Sequence, residues 1–272
     1  MAQKVTIQGF EGSFHQIAAR QFFGKQVEVI PCATFHEVVE QTRKKMADAS
    51  VMAIENSIAG SILPNYHLLQ KSGLKIAGEV YLPIRQHLLV NPGVTLSDIR
   101  EVHSHPMALQ QCLDFLVQHN WKLVETEDTA LSAKRLQQHK SRHTAAVAGK
   151  LAADLFGLDI LVENIHTQKQ NYTRFLILQR ESEVPEAANK ASVSFHTDHS
   201  KGSLARVLTR IAEGGINLSK LQSFPIPGTE WKYQFHADME FEHREQLDAV
   251  LKDVKAVTQE TQVYGIYKNG RK

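Results

Sequence analysis

The chain has 272 residues, of which 42% are hydrophobic and 22% are charged, and its formal net charge is +2. This composition is typical of a folded protein of two or three domains and excludes a largely disordered chain. The balanced charge disfavours nucleic acid as a partner, and the absence of a long apolar run disfavours a membrane partner.

The first two thirds of the chain alternate predicted strands with predicted helices. Residues 5–8 form a predicted strand, which a glycine turn joins to a helical pattern. Further strands are predicted at 27–30, 50–54, 76–82, 87–90, 101–103, 123–125, 145–148 and 160–162, and helices at 35–46, 107–118, 129–138 and 150–156. This alternation predicts an α/β architecture with largely parallel sheets, in which ligands bind beyond the carboxyl ends of the strands.

We expect no cofactor and no metal ion, and we do not expect the protein to be exported. The chain enters its first strand without the apolar segment of a secretory signal, which predicts a cytoplasmic protein. Cys32 and Cys112 lack CxxC spacing, which favours two buried reduced thiols over a disulfide or a zinc site. Gly9 and Gly12 lack the third glycine and the ribose-binding acid of a dinucleotide site.

A polar, proline-containing segment at residues 181–190 is predicted to link two domains. Beyond it we predict strands at 192–196, 216–223, 231–239 and 263–267, helices at 202–212 and 244–254, and a turn at 225–228. Trp231 begins the third of these strands. The order β-α-β-β-α-β is typical of a ferredoxin-like module.

Two distant segments place polar groups at the ends of apolar strands. Glu55, Asn56 and Ser57 end one strand and precede the flexible Gly60, and residues 171–175 begin another. Their side chains and nearby backbone amides predict a pocket built between the two segments.

The second segment contains a hydroxyl beside a guanidinium. Thr173 could donate a hydrogen bond to a substrate oxygen, and Arg174 could bind a carboxylate through two parallel hydrogen bonds. An ion pair between Arg174 and Glu55 is the alternative and remains open.

A third segment, Ser104-His105-Pro106, ends a further strand. Gln111 follows about two helical turns later and could present its amide to the same pocket. As a histidine, His105 is a candidate general base, but a structural role beside the helix start is favoured over that role.

In this order, the three segments resemble the prephenate dehydratase family over nearly the whole chain. The resemblance implies a two-lobed catalytic region like type 2 periplasmic binding proteins, followed by a ferredoxin-like ACT regulatory domain. The implied catalytic region is 1–180, with lobe one at about 1–80 and 165–180 and lobe two at about 81–164. The linker at 181–190 and the ACT domain at 191–272 complete the chain.

The reaction implied by the resemblance is conversion of prephenate to phenylpyruvate in L-phenylalanine biosynthesis. Thr173 is implied to assist the departing hydroxyl, Arg174 to supply positive charge or organise the site, and Glu55 to support the loop. The substrate is implied to contact Asn56, Ser57, Gly60, Ser104, Gln111 and Phe175.

The resemblance also implies feedback binding of L-phenylalanine and a homodimer or a dimer of dimers. The implied effector residues are Gly202, Ser203, Leu204, Asn217, Leu218, Gln222 and Ser223. Related ACT domains carry Gly-Ala-Leu and Glu-Ser-Arg-Pro, whereas this chain has Gly-Ser-Leu at residues 202–204 and Gln-Ser-Phe-Pro at residues 222–225.

Three alternatives accompany this interpretation. An arogenate dehydratase would use the amino acid that corresponds to the keto acid, and a non-catalytic sensor would bind a small molecule in the same cleft. A fusion to chorismate mutase is disfavoured because the sequence starts directly in the first predicted strand.

Overall fold

The computed structural model describes residues 2–198, 200–226, 228–230 and 232–271. The chain divides into two compact units, one formed by Met1–Gly73 with Val80–Leu176 and the other by Leu74–Glu79 with Ile177–Lys272. Each unit contains discontinuous segments of the chain.

The strands and helices follow the predicted alternation. The strands are β1 (Lys4–Gln8), β2 (Glu28–Cys32), β3 (Ala49–Asn56), β4 (Gly60–Ser61), β5 (Lys75–Pro83), β6 (His87–Val90), β7 (Glu101–Ser104), β8 (Lys122–Glu125), β9 (Thr144–Ala148), β10 (Asp159–Val162), β11 (Tyr172–Gln179), β12 (Lys190–His196), β13 (Asn217–Pro225), β14 (Tyr233–Glu240) and β15 (Glu260–Tyr267). The helices are α1 (Phe14–Phe23), α2 (Phe35–Arg43), α3 (Leu63–Ser72), α4 (Pro106–Gln111), α5 (Leu113–Leu116), α6 (Thr129–His139), α7 (Lys150–Phe156), α8 (Ser203–Glu213) and α9 (Arg244–Ala256).

Two open sheets organise the first unit, and the predicted α/β class is confirmed. The first sheet has the order β2-β1-β3-β11-β5, with β4 paired to β3, and the second has the order β10-β6-β9-β7-β8. The β1–β2, β1–β3, β7–β8 and β7–β9 pairs are parallel. Parallel pairing brings the ends of β1 and β3 to the same edge of the first sheet, beyond which a ligand can bind.

The predicted helix at 107–118 is two helices. It breaks at Cys112, whose φ of −107° and ψ of 9° depart from helical values. Cys112 and Cys32 are both free and buried, as predicted. Burial raises the pKa of the Cys112 thiol to about 12, so this thiol is unreactive at neutral pH.

The second unit contains the predicted ferredoxin-like order β12-α8-β13-β14-α9-β15. Its antiparallel sheet has the order β13-β14-β12-β15. Buried Val193 and Phe195 of the sheet belong to the same core as Val207 of α8 and Leu247 of α9. The predicted turn at 225–228 and the predicted strand start involve Pro227 and Trp231, which lie outside the described residues.

A buried ion pair lies at the start of β12. Lys190 was predicted to end the linker, but it is the first residue of β12, and its side chain is only 1% exposed. Its Nζ donates to both carboxylate oxygens of Glu79, at 2.9 and 3.1 Å. The backbone N–H of Gly270 donates to the same carboxylate at 3.1 Å, so several donors compensate for the burial of this acid.

No helix in the described part of the chain has the length and apolar character needed to cross a membrane.

Replacing Lys190 with methionine should lower the free energy of unfolding by about 3 kcal/mol or more, because the buried carboxyl group of Glu79 would lose its main partner. Urea unfolding measures this loss. The matched control is Lys150→Met, which removes an exposed pair with Asp154 and should cost less than about 1 kcal/mol. Equal losses in the two variants would contradict the prediction.

Candidate active site

The turn between β3 and β4 is built by Asn56. Its Oδ1 accepts hydrogen bonds from the backbone N–H groups of Ile58 and Ala59, at 3.0 and 2.9 Å. Asparagine favours this local arrangement because its short amide reaches the backbone two residues on. Gly60 follows with a φ of +83°, a left-handed conformation that glycine adopts without a steric cost.

The same turn is bonded to the start of β11. The N–H of Ser57 donates to the carbonyl of Tyr172 at 2.8 Å, and the N–H of Tyr172 donates to Ser57 Oγ at 2.9 Å. These bonds bring together the two segments that the sequence predicted to share a pocket.

Three side-chain amides and one hydroxyl meet beside this junction. Asn56 Nδ2 donates to Thr173 Oγ1 at 3.0 Å and to Asn171 Oδ1 at 2.7 Å. Asn171 Nδ2 in turn donates to Gln111 Oε1 at 3.1 Å. Asn171 is absent from the predicted site residues, although it is the first residue of the segment 171–175. Its position before an apolar strand was the signal that could have identified it.

A cleft of about 390 Å³ opens beside these amides. Its walls come from the β3–β4 turn, helices α4 and α5, and the segment before β11. The lining residues are Ile58, Ala59, Met107, Gln110, Gln111, Leu113, Asp114, His166, Thr167, Gln168 and Asn171. Most of the polar lining groups are uncharged and can donate hydrogen bonds.

His166 is a cleft residue that the sequence analysis missed. Burial, with a contribution from Lys169, lowers its pKa, so the imidazole is neutral at physiological pH. Its Nδ1 accepts from the N–H of Gln86 at 3.4 Å, which directs the ring. A single histidine in a loop carries no sequence pattern that would predict its position in a cleft.

Arg174 and Phe175 are buried residues of β11 and directly follow Thr173. Arg174 is only 4% exposed, and its guanidinium carbon lies 5.9 Å from the ring centre of Tyr81, where cation–π attraction applies. Phe175 is 1% exposed. Glu55, the penultimate residue of β3, is partly buried and faces Ser61 in the β3–β4 pairing. The roles assigned to these three residues stay predictions.

Ser104 has a structural partner. It is fully buried, and its hydroxyl donates to the carbonyl of Val147 at 2.6 Å. Its predicted contact with the substrate stays a prediction. His105 accepts from the N–H of Met107 at 3.2 Å and caps α4, which matches the structural role favoured for it.

The predicted effector residues lie in two groups of the second unit. Gly202 precedes α8 with a φ of +78°, and Ser203 and Leu204 begin the helix. Asn217, Leu218, Gln222 and Ser223 lie on β13, which has β14 as its neighbour in the sheet order.

His15 packs against Phe175. Its ring centre lies 5.0 Å from that of Phe175 in an edge-on contact and 5.5 Å from that of Phe35. Its Nε2 is buried and has no hydrogen-bond partner in the described part of the chain. Burial lowers the pKa of His15 from its usual 6.5 to about 3, so the ring is neutral.

The geometry defines a class of protein with an α/β unit whose cleft is lined mainly by neutral polar groups, in one chain with a ferredoxin-like module. The sequence profile described as prephenate dehydratase matches residues 5–183. The chain belongs to the prephenate dehydratase family and is a carbon–oxygen lyase of the hydro-lyase class.

Two curated proteins of similar sequence have names that include different activities. A bifunctional chorismate mutase/prephenate dehydratase of Enterobacter agglomerans is 33% identical over 98% of this chain and 70% of its own length. An arogenate dehydratase/prephenate dehydratase of Arabidopsis thaliana is 38% identical over 82% of this chain and 57% of its own length.

Two solved structures share the fold over nearly the whole chain. A prephenate dehydratase of Arthrobacter aurescens in complex with L-Phe has a TM-score of 0.88 and 29% identity, covering 98% of this chain and 90% of that chain. A protein described as a novel type of quorum-quenching acylase has a TM-score of 0.89 and 29% identity, covering 98% of both chains.

Replacing His15 with phenylalanine should make the protein less sensitive to acid. Below pH 6.5 the unfolded chain binds a proton on His15, whereas the folded chain binds it only near pH 3, so stability is lost as the pH falls between these values. The urea midpoint of His15→Phe should therefore fall less from pH 7 to pH 4 than that of the wild type. His139→Phe, at an exposed position, is the control. An equal fall of the urea midpoint with pH in the wild type and in His15→Phe would refute the contribution of His15 to acid sensitivity.

Proposed function

We propose that the chain converts prephenate to phenylpyruvate, with loss of water and carbon dioxide, for L-phenylalanine biosynthesis. The observation that carries this proposal is the hydrogen bond from Asn56 Nδ2 to Thr173 Oγ1 at 3.0 Å. Because the threonine oxygen accepts this bond, its own hydrogen is available to the departing hydroxyl of the substrate.

The reaction needs stabilisation of moving negative charge. The ring carboxylate leaves as CO₂, its electrons enter the ring, and the ring hydroxyl leaves as water after taking up one proton. Thr173 donates a hydrogen bond to that leaving oxygen, and the proton comes ultimately from solvent. Neutral donors such as Gln111 stabilise the shifting charge without reorganising.

The positive charge of a buried residue supports the same reaction. Arg174 provides a positive charge next to Thr173 in the chain, in a buried environment where electrostatic effects are strong. Glu55 and Ser57 hold the β3–β4 turn that carries Asn56. Phe175 and Gly60 stay proposed substrate contacts.

Arogenate is the second candidate substrate, and one residue favours it. Asp114 lines the cleft and could pair with the ammonium group that arogenate has in place of the keto group. Asp114→Asn should then lower kcat/KM for arogenate and leave prephenate turnover nearly unchanged. The ratio of the two kcat/KM values decides between the substrates.

Thr173→Ala should lower kcat on prephenate by about 100-fold or more, a loss typical of removing one donor to a developing charge, while Thr173→Ser keeps part of the activity. Phenylpyruvate formation is measured at matched fold quality. Thr126→Ala, which removes a threonine hydroxyl bonded to Ser132, is the control.

Unchanged turnover in Thr173→Ala would refute the role of this hydroxyl. Ligand binding without turnover of either substrate by the wild type would favour a sensor. Hydrolysis of an acylated amine would favour the acylase activity named for the similar structure, although the group bonded to Thr173 is an amide donor rather than a base.

L-Phenylalanine is the proposed effector, bound by the residues at the start of α8 and along β13, and a homodimer or dimer of dimers is the proposed assembly. The L-Phe complex of the similar dehydratase supports this ligand. Edge strand β13 offers backbone groups through which a second copy could pair.

L-Phenylalanine at 100 times its Kd should stabilise the protein by about 2.7 kcal/mol and raise Tm accordingly. Asn217→Ala should weaken this shift, because Asn217 is an exposed effector residue whose loss spares the core. Asn120→Ala, exposed in the first unit, should keep the full shift. No Tm change with saturating L-phenylalanine would exclude this effector.

A further inference from the structure

The amides beside the cleft form a chain whose donor and acceptor direction is fixed at one end. Backbone N–H groups can only donate, and those of Ile58 and Ala59 point at the side chain of Asn56. The atom facing them must therefore be Oδ1. The NH₂ of Asn56 must then point the other way, toward Asn171 and Thr173.

The next link follows from the first. Because Asn56 supplies an NH₂, Asn171 must present its oxygen, and the distance of 2.7 Å from Asn56 Nδ2 to Asn171 Oδ1 agrees. The NH₂ of Asn171 is then directed at Gln111, whose Oε1 accepts it at 3.1 Å. One backbone turn thus sets the direction of three side-chain amides.

The last link determines what the cleft presents to a ligand. Gln111 has its oxygen engaged by Asn171, so its NH₂ is the group left for the cleft that it lines. A donor at this position suits a substrate with two carboxylates. The opposite amide orientation would place an oxygen there and repel the same substrate.

Asn171 is held in a fixed position from which its side chain can orient Gln111. It is only 1% exposed, and its backbone carbonyl accepts from the N–H of Ile84 at 2.8 Å. The backbone carbonyl of Gln111 likewise accepts from the N–H of Thr167 at 2.8 Å. Both ends of the Asn171–Gln111 bond are therefore anchored by the main chain.

We propose that Asn171 is a positioning residue that sets the amide orientation of Gln111, so that the cleft presents a donor to the anionic substrate. This inference rests on the proposed dehydratase function. It assigns Asn171 no contact with the reacting atoms.

Asn171→Asp tests the proposal through pH. An ionised aspartate accepts from Asn56 but has no hydrogen for Gln111 Oε1, so the amide of Gln111 should rotate and turn its oxygen toward the cleft. Protonation restores one acceptor and one donor in the original order. Burial raises the pKa of such a carboxyl, which brings its titration toward the assay range.

Activity of Asn171→Asp relative to wild type should therefore rise as the pH falls from 8 to 5. The rise is about tenfold per pH unit above the pKa of the new carboxyl, because the protonated fraction changes by that factor. Asn171→Ala should be about 100-fold less active than wild type at every pH, since misplacement of a binding group costs about this much. A pH-independent ratio for Asn171→Asp, or wild-type activity in Asn171→Ala, would overturn the proposal.

Asn65→Asp is the matched control. Asn65 is also 1% exposed, and its Nδ2 donates to the carbonyl of Ala53 at 2.7 Å, away from the cleft. Any loss of activity in this variant should follow its loss of stability and show no recovery in acid.

A measurement without substrate separates this inference from the proposed function. The side-chain NH₂ resonances of Gln111 should shift with pH in Asn171→Asp and stay constant in the wild type. If they do and the wild type lacks dehydratase activity, the proposed function fails while the positioning role stands. Invariant Gln111 resonances in both proteins would refute the positioning role.

Discussion

Two hydrogen bonds between Ser57 and Tyr172 determine where the cleft lies. They fasten the turn after β3 to the start of β11, across 115 positions of the chain. Asn56 immediately precedes one partner and Thr173 immediately follows the other, so the amide reaches the hydroxyl only because these backbone segments are joined. The position of the cleft thus follows from the pairing of neighbouring strands, and its chemistry depends on how rigidly the ends of β3 and β11 are held.

The polar groups of the site are mainly neutral, and burial explains why this can be maintained. His15 and His166 lose their charge because charging them would require desolvation of a cation. Arg174, a buried cation next to Thr173 in the chain, lies over the face of Tyr81. Uncharged donors in a partly buried cleft need no counterions. The main charge that such a cleft must stabilise is then the negative charge of the substrate.

The sequence predicts those features of the fold that depend on residues close together in the chain. Hydrophobic periodicity identified the alternating elements, and their order was enough for the ferredoxin-like module. It could not show that Ser104 donates to Val147, because that bond joins segments far apart in the chain. For the same reason, the sequence could not show that Asn171 lies between two other amides. It also could not show that Lys190 is buried, because a charged side chain is usually exposed and is typical of a linker. The break at Cys112 depends on local dihedral angles that apolar spacing does not encode.

The Leu74–Glu79 segment has a consequence for the order in which the protein is made. This segment belongs to the second unit, where Glu79 bonds to Lys190 and Gly270, yet it leaves the ribosome about a hundred residues before the rest of that unit. Domains generally fold as units during synthesis, amino-terminal parts first. Here the carboxylate of Glu79 lacks donors until Lys190 and then Gly270 have been synthesised. The second unit can therefore complete this set of hydrogen bonds only after Gly270 has been synthesised.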